Sequence, residues 1–108
     1  MSDHYSFPEL NILAARIAYW RLGKGFDTPE DISDPAEVLH KLMLVVTEVA
    51  EAAEAVTHSD IENFTEEMAD AVIRMLDLTG TMGIDIAGAI AAKMAVNEVR
   101  PYKHGKVA

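Results

Sequence analysis

The chain has 108 residues, half of them hydrophobic, no cysteine and a formal net charge of -9. The length suits one domain with a compact core, the lack of cysteine excludes disulfides and thiolate metal sites, and the acidic charge argues against nucleic acid or an anionic membrane surface as partner. We expect a soluble, cytoplasmic protein, because residues 1–8 lack the apolar core of a signal peptide and no apolar run could span a bilayer.

Four helices are predicted, which would form a single all-α, four-helix bundle-like domain over residues 1–108. The first runs from Pro8 to about Leu22, and glycines end it. The second begins at Asp34-Pro35-Ala36-Glu37, where a capping acid precedes a proline at the first helical position and a glutamate follows three residues after the cap. We expect it to end near His58.

The third and fourth helices are predicted from about Asp60 to Gly80 and from about Asp85 to Val99. Both central helices carry a second apolar row in addition to the seam that packs them together. A helix that is apolar on two faces is buried on two faces, so we expect self-association. The rows are Val46, Ala50 and Ala53 on the second helix and Ala69, Ile73 and Leu76 on the third.

The central helices carry two acidic pairs at the same spacing, Glu48 with Glu51 and Glu67 with Asp70. Residues three apart are neighbours on a helix surface, so antiparallel packing would bring four carboxylates to one place. Four such anions repel one another unless a cation lies among them, and all-oxygen ligands suit Mg²⁺ or Mn²⁺. The pattern therefore predicts a metal site, while an acidic face in contact with solvent stays open as the alternative.

The fourth helix begins with an apolar line through Ile86 and Ile90 that continues, on the same face, as Lys93, Asn97 and Arg100. Lysine offers a point charge to phosphate and arginine a bidentate fork, so this row is a candidate phosphate clamp. Its alternative is a cationic cluster favoured by the helix dipole.

The acidic pairs, separated by a short turn, resemble the signature of the MazG-like nucleotide pyrophosphohydrolases, which belong to the all-α NTP pyrophosphatases. The resemblance extends to residues 66–77 and to Lys93-Met94-Ala95-x-Asn97 followed by Arg100-Pro101-Tyr102-Lys103-His104-Gly105. It covers roughly residues 39–106 and, more loosely, residues 20–26. One position departs from the pattern, since many relatives have glutamate where this chain has Thr47.

This resemblance implies a magnesium-dependent enzyme that cleaves nucleoside triphosphates to monophosphates and pyrophosphate in nucleotide pool housekeeping. It implies that Glu48, Glu51, Glu67 and Asp70 hold the metal, in a homodimer or homotetramer whose sites are often completed across an interface. On chemical grounds, Glu48 or Glu51 is the candidate acceptor for the proton of the attacking water.

The candidate substrate-binding residues are Lys93, Asn97, Arg100, Tyr102 and Trp20, although the lone tryptophan suits a core or interface position better than base stacking. Two alternatives are kept: an enzyme of the same superfamily specific for dUTP or phosphoribosyl-ATP, and a non-catalytic helical oligomer whose basic tail binds a partner.

Overall fold

The computed structural model describes residues 5–101. These residues form four helices and no strand: α1 (Pro8–Gly23), α2 (Pro35–Thr57), α3 (Ile61–Thr81) and α4 (Ile86–Glu98). The prediction of an all-α fold is confirmed, and the predicted helix ends agree closely with the observed ones. Within the described residues, no single helix is both long and apolar enough to cross a membrane, although α3 and α4, bent by 111° from one another, together have the length and composition.

Aspartates fix the starts of three helices. Asp34, Asp60 and Asp85 each accept a hydrogen bond from the backbone N–H three residues further along, at 3.3, 3.0 and 2.8 Å. Each bond satisfies a donor that has no partner within the helix. In contrast, α1 begins at Pro8 without a side-chain cap.

Helices α2 and α3 form the centre of the molecule, and α1 packs across α3. Only residues 58–60 connect α2 to α3, so the two helices must run antiparallel to pack along their length. Gly80 lets α1 approach α3 closely, because a Cβ at this position would overlap the carbonyl of Ala14. Helix α4 turns away from α3 and packs chiefly on α1, so the four helices do not all lie side by side.

The core of the single chain is small. The radius of gyration of the chain is 16.0 Å, whereas a compact domain of this length is expected to have a radius of gyration of about 13 Å. Of the predicted second apolar rows, Leu76 is buried and Ile73 is partly buried, while Val46 is 52 % exposed. The buried hydrophobic residues are mostly alanines: Ala14, Val45, Ala52, Ala55, Ala71, Leu76, Leu78 and Ala87. A large apolar surface is therefore left uncovered.

Candidate functional site

The α2–α3 hairpin brings three of the four predicted metal ligands together. Glu48 on α2 and Glu67 and Asp70 on α3 each place one carboxylate oxygen within 4.8 Å of the others. The side chain of Glu48 is only 12 % exposed, while Glu67 is half-buried and Asp70 is exposed. The cluster is thus open to solvent on its α3 side and closed on its α2 side.

The fourth predicted ligand, Glu51, lies beside Glu48 but outside this set of three. A hydrogen bond from the Glu51 carboxyl to Glu48 raises the pKa of Glu51. Desolvation and the charges of Glu48, Asp70 and Glu54 raise it further. Glu51 is therefore part of the same group of mutually repelling carboxylates as Glu48 and Asp70.

Arg74 supplies the cluster with a cation of its own. Its Nε donates to Oε2 of Glu48 at 3.0 Å, and this bond holds the pKa of the Glu48 carboxyl below its usual range despite partial burial. For Glu67 the balance is opposite, because burial, followed by the charge of Glu51, raises its pKa. Arg74 thus stabilises the ionised form of Glu48, while the carboxyls of Glu51 and Glu67 repel one another.

The donor set fits a hard divalent cation. Only carboxylate oxygens converge here, and such ligands favour magnesium or manganese over softer metals. Glu48, Glu67 and Asp70 would hold the ion, with Glu51 as the adjacent carboxylate. What fits a metal ion here is the chemistry of the donor atoms; clustering alone does not identify a metal site, since exposed acidic groups also cluster without one.

The predicted phosphate clamp does not reach this cluster by helix packing within one chain. Lys93 and Asn97 are exposed on α4, and Arg100 lies just beyond the end of that helix and is partly buried. Helix α4 packs on α1, and among the described residues it makes no extensive contact with α2. Among the same residues, α4 also makes no extensive contact with α3, the helix that carries Glu67 and Asp70.

Trp20 is 50 % exposed near the end of α1, which excludes a core role for this residue. It lies in a shallow surface depression beside Tyr19 and Lys24, where a ligand or another protein could reach it. The remaining candidate, Tyr102, lies outside the described residues, as does the rest of the basic tail.

A second polar centre was missed from the sequence. Arg21 and Asp77, 9 % and 4 % exposed, form an ion pair of 2.8 Å between α1 and α3. The hydroxyls of Thr28 and Thr81 donate to the same carboxylate at 2.6 and 3.2 Å, and the Arg21 guanidinium lies 3.9 Å from the centre of the Phe26 ring. The sequence did contain a signal for Asp77 as a further site residue. It lies seven residues beyond Asp70 and therefore on nearly the same face of the helix.

No protein-family model, curated protein or solved structure matches this chain. The resemblance to the MazG-like enzymes therefore depends on the residues and motifs quoted above. Its functional meaning must be argued from the site itself.

Proposed function

We propose that the chain is a magnesium-dependent nucleoside triphosphate pyrophosphohydrolase of the all-α type, which cleaves a ribo- or deoxyribonucleoside triphosphate to the monophosphate and pyrophosphate. The observation that carries this proposal is the convergence of Glu48, Glu67 and Asp70 from two helices, with one oxygen of each within 4.8 Å of the others. The spacing of these acids is also the part of the sequence that most resembles the family.

A bound magnesium ion would neutralise phosphate oxygens and favour a water nucleophile. Glu48 supports this role because Arg74 fixes its orientation and keeps it ionised. Glu48 or Glu51, the acidic pair on α2, would accept the proton of the attacking water as general base.

A second copy of the chain is part of the proposal, as a homodimer or homotetramer. The support is the exposed apolar surface of α2 and α3, which includes Val46, Val49, Met68 and Val72. Stable interfaces bury about 1,200–2,000 Å² in total, and an uncovered helical face of this kind can supply such an area. A second copy would also be the source of the Lys93, Asn97 and Arg100 row, since α4 packs on α1 and not extensively on the helices that carry the acids.

The test is a panel of ribo- and deoxyribonucleoside triphosphates with magnesium, in which pyrophosphate and orthophosphate are measured separately. We expect pyrophosphate with an equal amount of monophosphate, and no reaction after chelation of the metal. Release of orthophosphate alone would assign a different phosphatase reaction. No release from any triphosphate, even where magnesium raises the melting temperature, would reject catalysis and favour a metal-binding helical oligomer.

A further inference from the structure

A cavity of about 450 Å³ lies between α1, the α1–α2 loop and the end of α3. Its size is within the range of small-molecule sites. Aromatic and acidic side chains line it together, and Asp77 contributes the carboxylate of the buried ion pair to its wall. The lining residues used below are Tyr19, Phe26, Asp27, Glu30, Asp77 and Thr81. We infer that this cavity is the nucleoside pocket of the site, and that it takes a nucleobase with an exocyclic amino group; this inference rests on the proposed function.

The register of α3 connects the cavity to the acidic cluster. Asp70, Arg74, Asp77 and Thr81 follow one another at steps of four, three and four, so they lie along one face of the helix. At 1.5 Å per residue, Asp77 is about 10 Å further along α3 than Asp70. This separation is of the order of that between the phosphates and the base of a nucleotide. A triphosphate held at the acids would therefore place its nucleoside end at the cavity.

The charges of the cavity exclude an orientation in which the phosphates of the nucleotide occupy it. Among the described residues that line it there is no lysine or arginine. The nearby Arg21 is engaged by Asp77 and by the Phe26 ring. Two further carboxylates, Asp27 and Glu30, belong to the lining and are exposed. Phosphate would be repelled here, whereas an uncharged base would not.

The same carboxylates favour one class of base. The carboxylate oxygens of Asp27 and Glu30 accept hydrogen bonds, and the two threonine hydroxyls of the cavity wall already donate to Asp77. A wall that presents acceptors matches the amino groups of cytosine, adenine and guanine. Where cytosine presents its amino group, uracil and thymine present the O4 carbonyl, which cannot donate to a carboxylate, and an unpaired polar group at a binding site discriminates strongly.

The aromatic residues give the base a surface to stack on. Phe26 is 43 % exposed, and the guanidinium of Arg21 covers one face of its ring, which leaves the other face for a stacked partner. Arg21 is itself fixed by the buried bond to Asp77. The platform is therefore built before the ligand arrives, which lowers the cost of binding.

Binding of nucleoside 5′-monophosphates tests the pocket independently of turnover. Calorimetry with CMP and UMP in the presence of magnesium should show about tenfold or tighter binding of CMP, because one hydrogen bond to a charged acceptor distinguishes them. The double variant Asp27→Asn, Glu30→Gln should bring the two affinities to within about twofold of each other. Phe26→Leu should weaken both by about tenfold or more through lost stacking, while Glu9→Gln, an exposed carboxylate at the far end of α1, should change neither.

Amide chemical shifts locate the binding. Addition of CMP should move the amide signals of residues 26–28, 30 and 77–81. Equal affinity for CMP and UMP in the wild type, or unchanged affinities in both cavity variants, overturns the inference. Amides of the cavity that respond to protein dilution but not to nucleotide also overturn it, because a second copy then fills the space. If triphosphates are hydrolysed and the cavity variants have no effect, the pocket assignment is wrong and the proposed function stands. If monophosphates bind as described but triphosphates are not hydrolysed, the proposed function is wrong and the pocket assignment stands.

Discussion

Arg74 brings a positive charge to the cluster of three acids through its bond to Glu48. Its bond to Glu48 stabilises the ionised form of that residue, while the pKa of Glu67 is raised by burial and by the surrounding negative charge. The cluster is thus only partly neutralised. A divalent cation can remove the remaining repulsion, which is an electrostatic gain that a solvated acidic face would not offer.

We predict that Asp70→Asn abolishes turnover without unfolding the protein. Loss of one clustered anion relieves repulsion in the metal-free state and weakens the metal site. The melting temperature should therefore be unchanged or higher without magnesium, and the increase that magnesium produces should disappear. Melting curves and pyrophosphate release should be measured together, with Glu66→Gln, also on α3 but outside the three-acid cluster, as the matched control. Near-normal activity of Asp70→Asn would remove the metal assignment.

For individual residues, the sequence predicted which ones meet within the α2–α3 hairpin but not which ones meet across a large separation in the chain. The meeting of Glu48 with Glu67 and Asp70 follows from a repeated spacing of three on two helices joined by a short turn. The Arg21–Asp77 pair is separated by 56 residues, and neither residue stands in a local pattern that identifies the other. Its existence depends on how α1 crosses α3, which helix periodicity alone does not determine.

Helix α4 shows where prediction of the elements succeeded and where it failed. The cap at Asp85 and the length of the helix followed from sequence. Its direction did not, because the bend from α3 passes through Gly83 at φ 67° and is fixed by contacts with α1. Asn11 of α1 donates to Asp85 at 2.7 Å and accepts from the backbone N–H of Ala87 at 2.9 Å. A side chain 74 residues away thus decides where α4 points.

The Asp85 cap should make stability depend on pH. The hydrogen bond from Asn11, followed by that from the Gly88 N–H, lowers the pKa of the Asp85 carboxyl. Since the pKa is lower in the folded state, the ionised group stabilises the fold above its unfolded pKa of about 3.9, and this contribution is lost as pH falls through the folded pKa. Urea unfolding from about pH 7 to about pH 3 should therefore show a shallower decline for Asp85→Asn than for the wild type. Parallel declines would show that this carboxyl has no such role.

The basic row of α4 should act on kinetics and not on folding. If Lys93 and Arg100 hold the triphosphate, Lys93→Ala and Arg100→Ala should each lower kcat/KM by roughly ten- to a hundredfold, because a charge-assisted bond contributes about 1.5–3 kcal/mol. Arg100→Lys should recover only part of the loss, since an ammonium lacks the bidentate fork. Residues that merely neutralise a helix end would instead lower the melting temperature slightly and leave kcat/KM unchanged in both alanine variants.

The whole molecule has more apolar surface than one chain can bury. The sequence predicted such a surface from a second apolar row on each central helix. The row on α2 agrees, since Val46 is exposed. On α3 the row does not, because Leu76 is buried and the predicted seam residues Met68 and Val72 are exposed instead. What sequence could not predict is how these faces meet in an assembly, because self-complementary packing depends on shape as well as hydrophobicity.

We predict a homodimer or homotetramer at micromolar concentration by light scattering. Val46→Glu should shift the mass toward the monomer, because it places a charge within the proposed interface, while Ile32→Glu in the exposed α1–α2 loop should not. If the basic row comes from the other copy, mixing inactive Asp70→Asn chains with weakly active Lys93→Ala chains should restore about a quarter of the wild-type activity in a dimer. A fully active monomer would refute the assembly, and a mixture without this gain would place both groups in one chain.

The buried Arg21–Asp77 pair also has a consequence for the order of folding. Helices α2 and α3 can associate across a connection of residues 58–60, whereas the pair must close a far longer loop, with a larger entropic cost. The hairpin should therefore form in the transition state for folding and the α1 contact afterwards. In stopped-flow experiments at fixed protein concentration, Asp77→Asn should accelerate unfolding and leave the folding rate almost unchanged. The ion pair then forms after the transition state for folding. It determines the unfolding rate, and so the lifetime of the native state, rather than the folding rate.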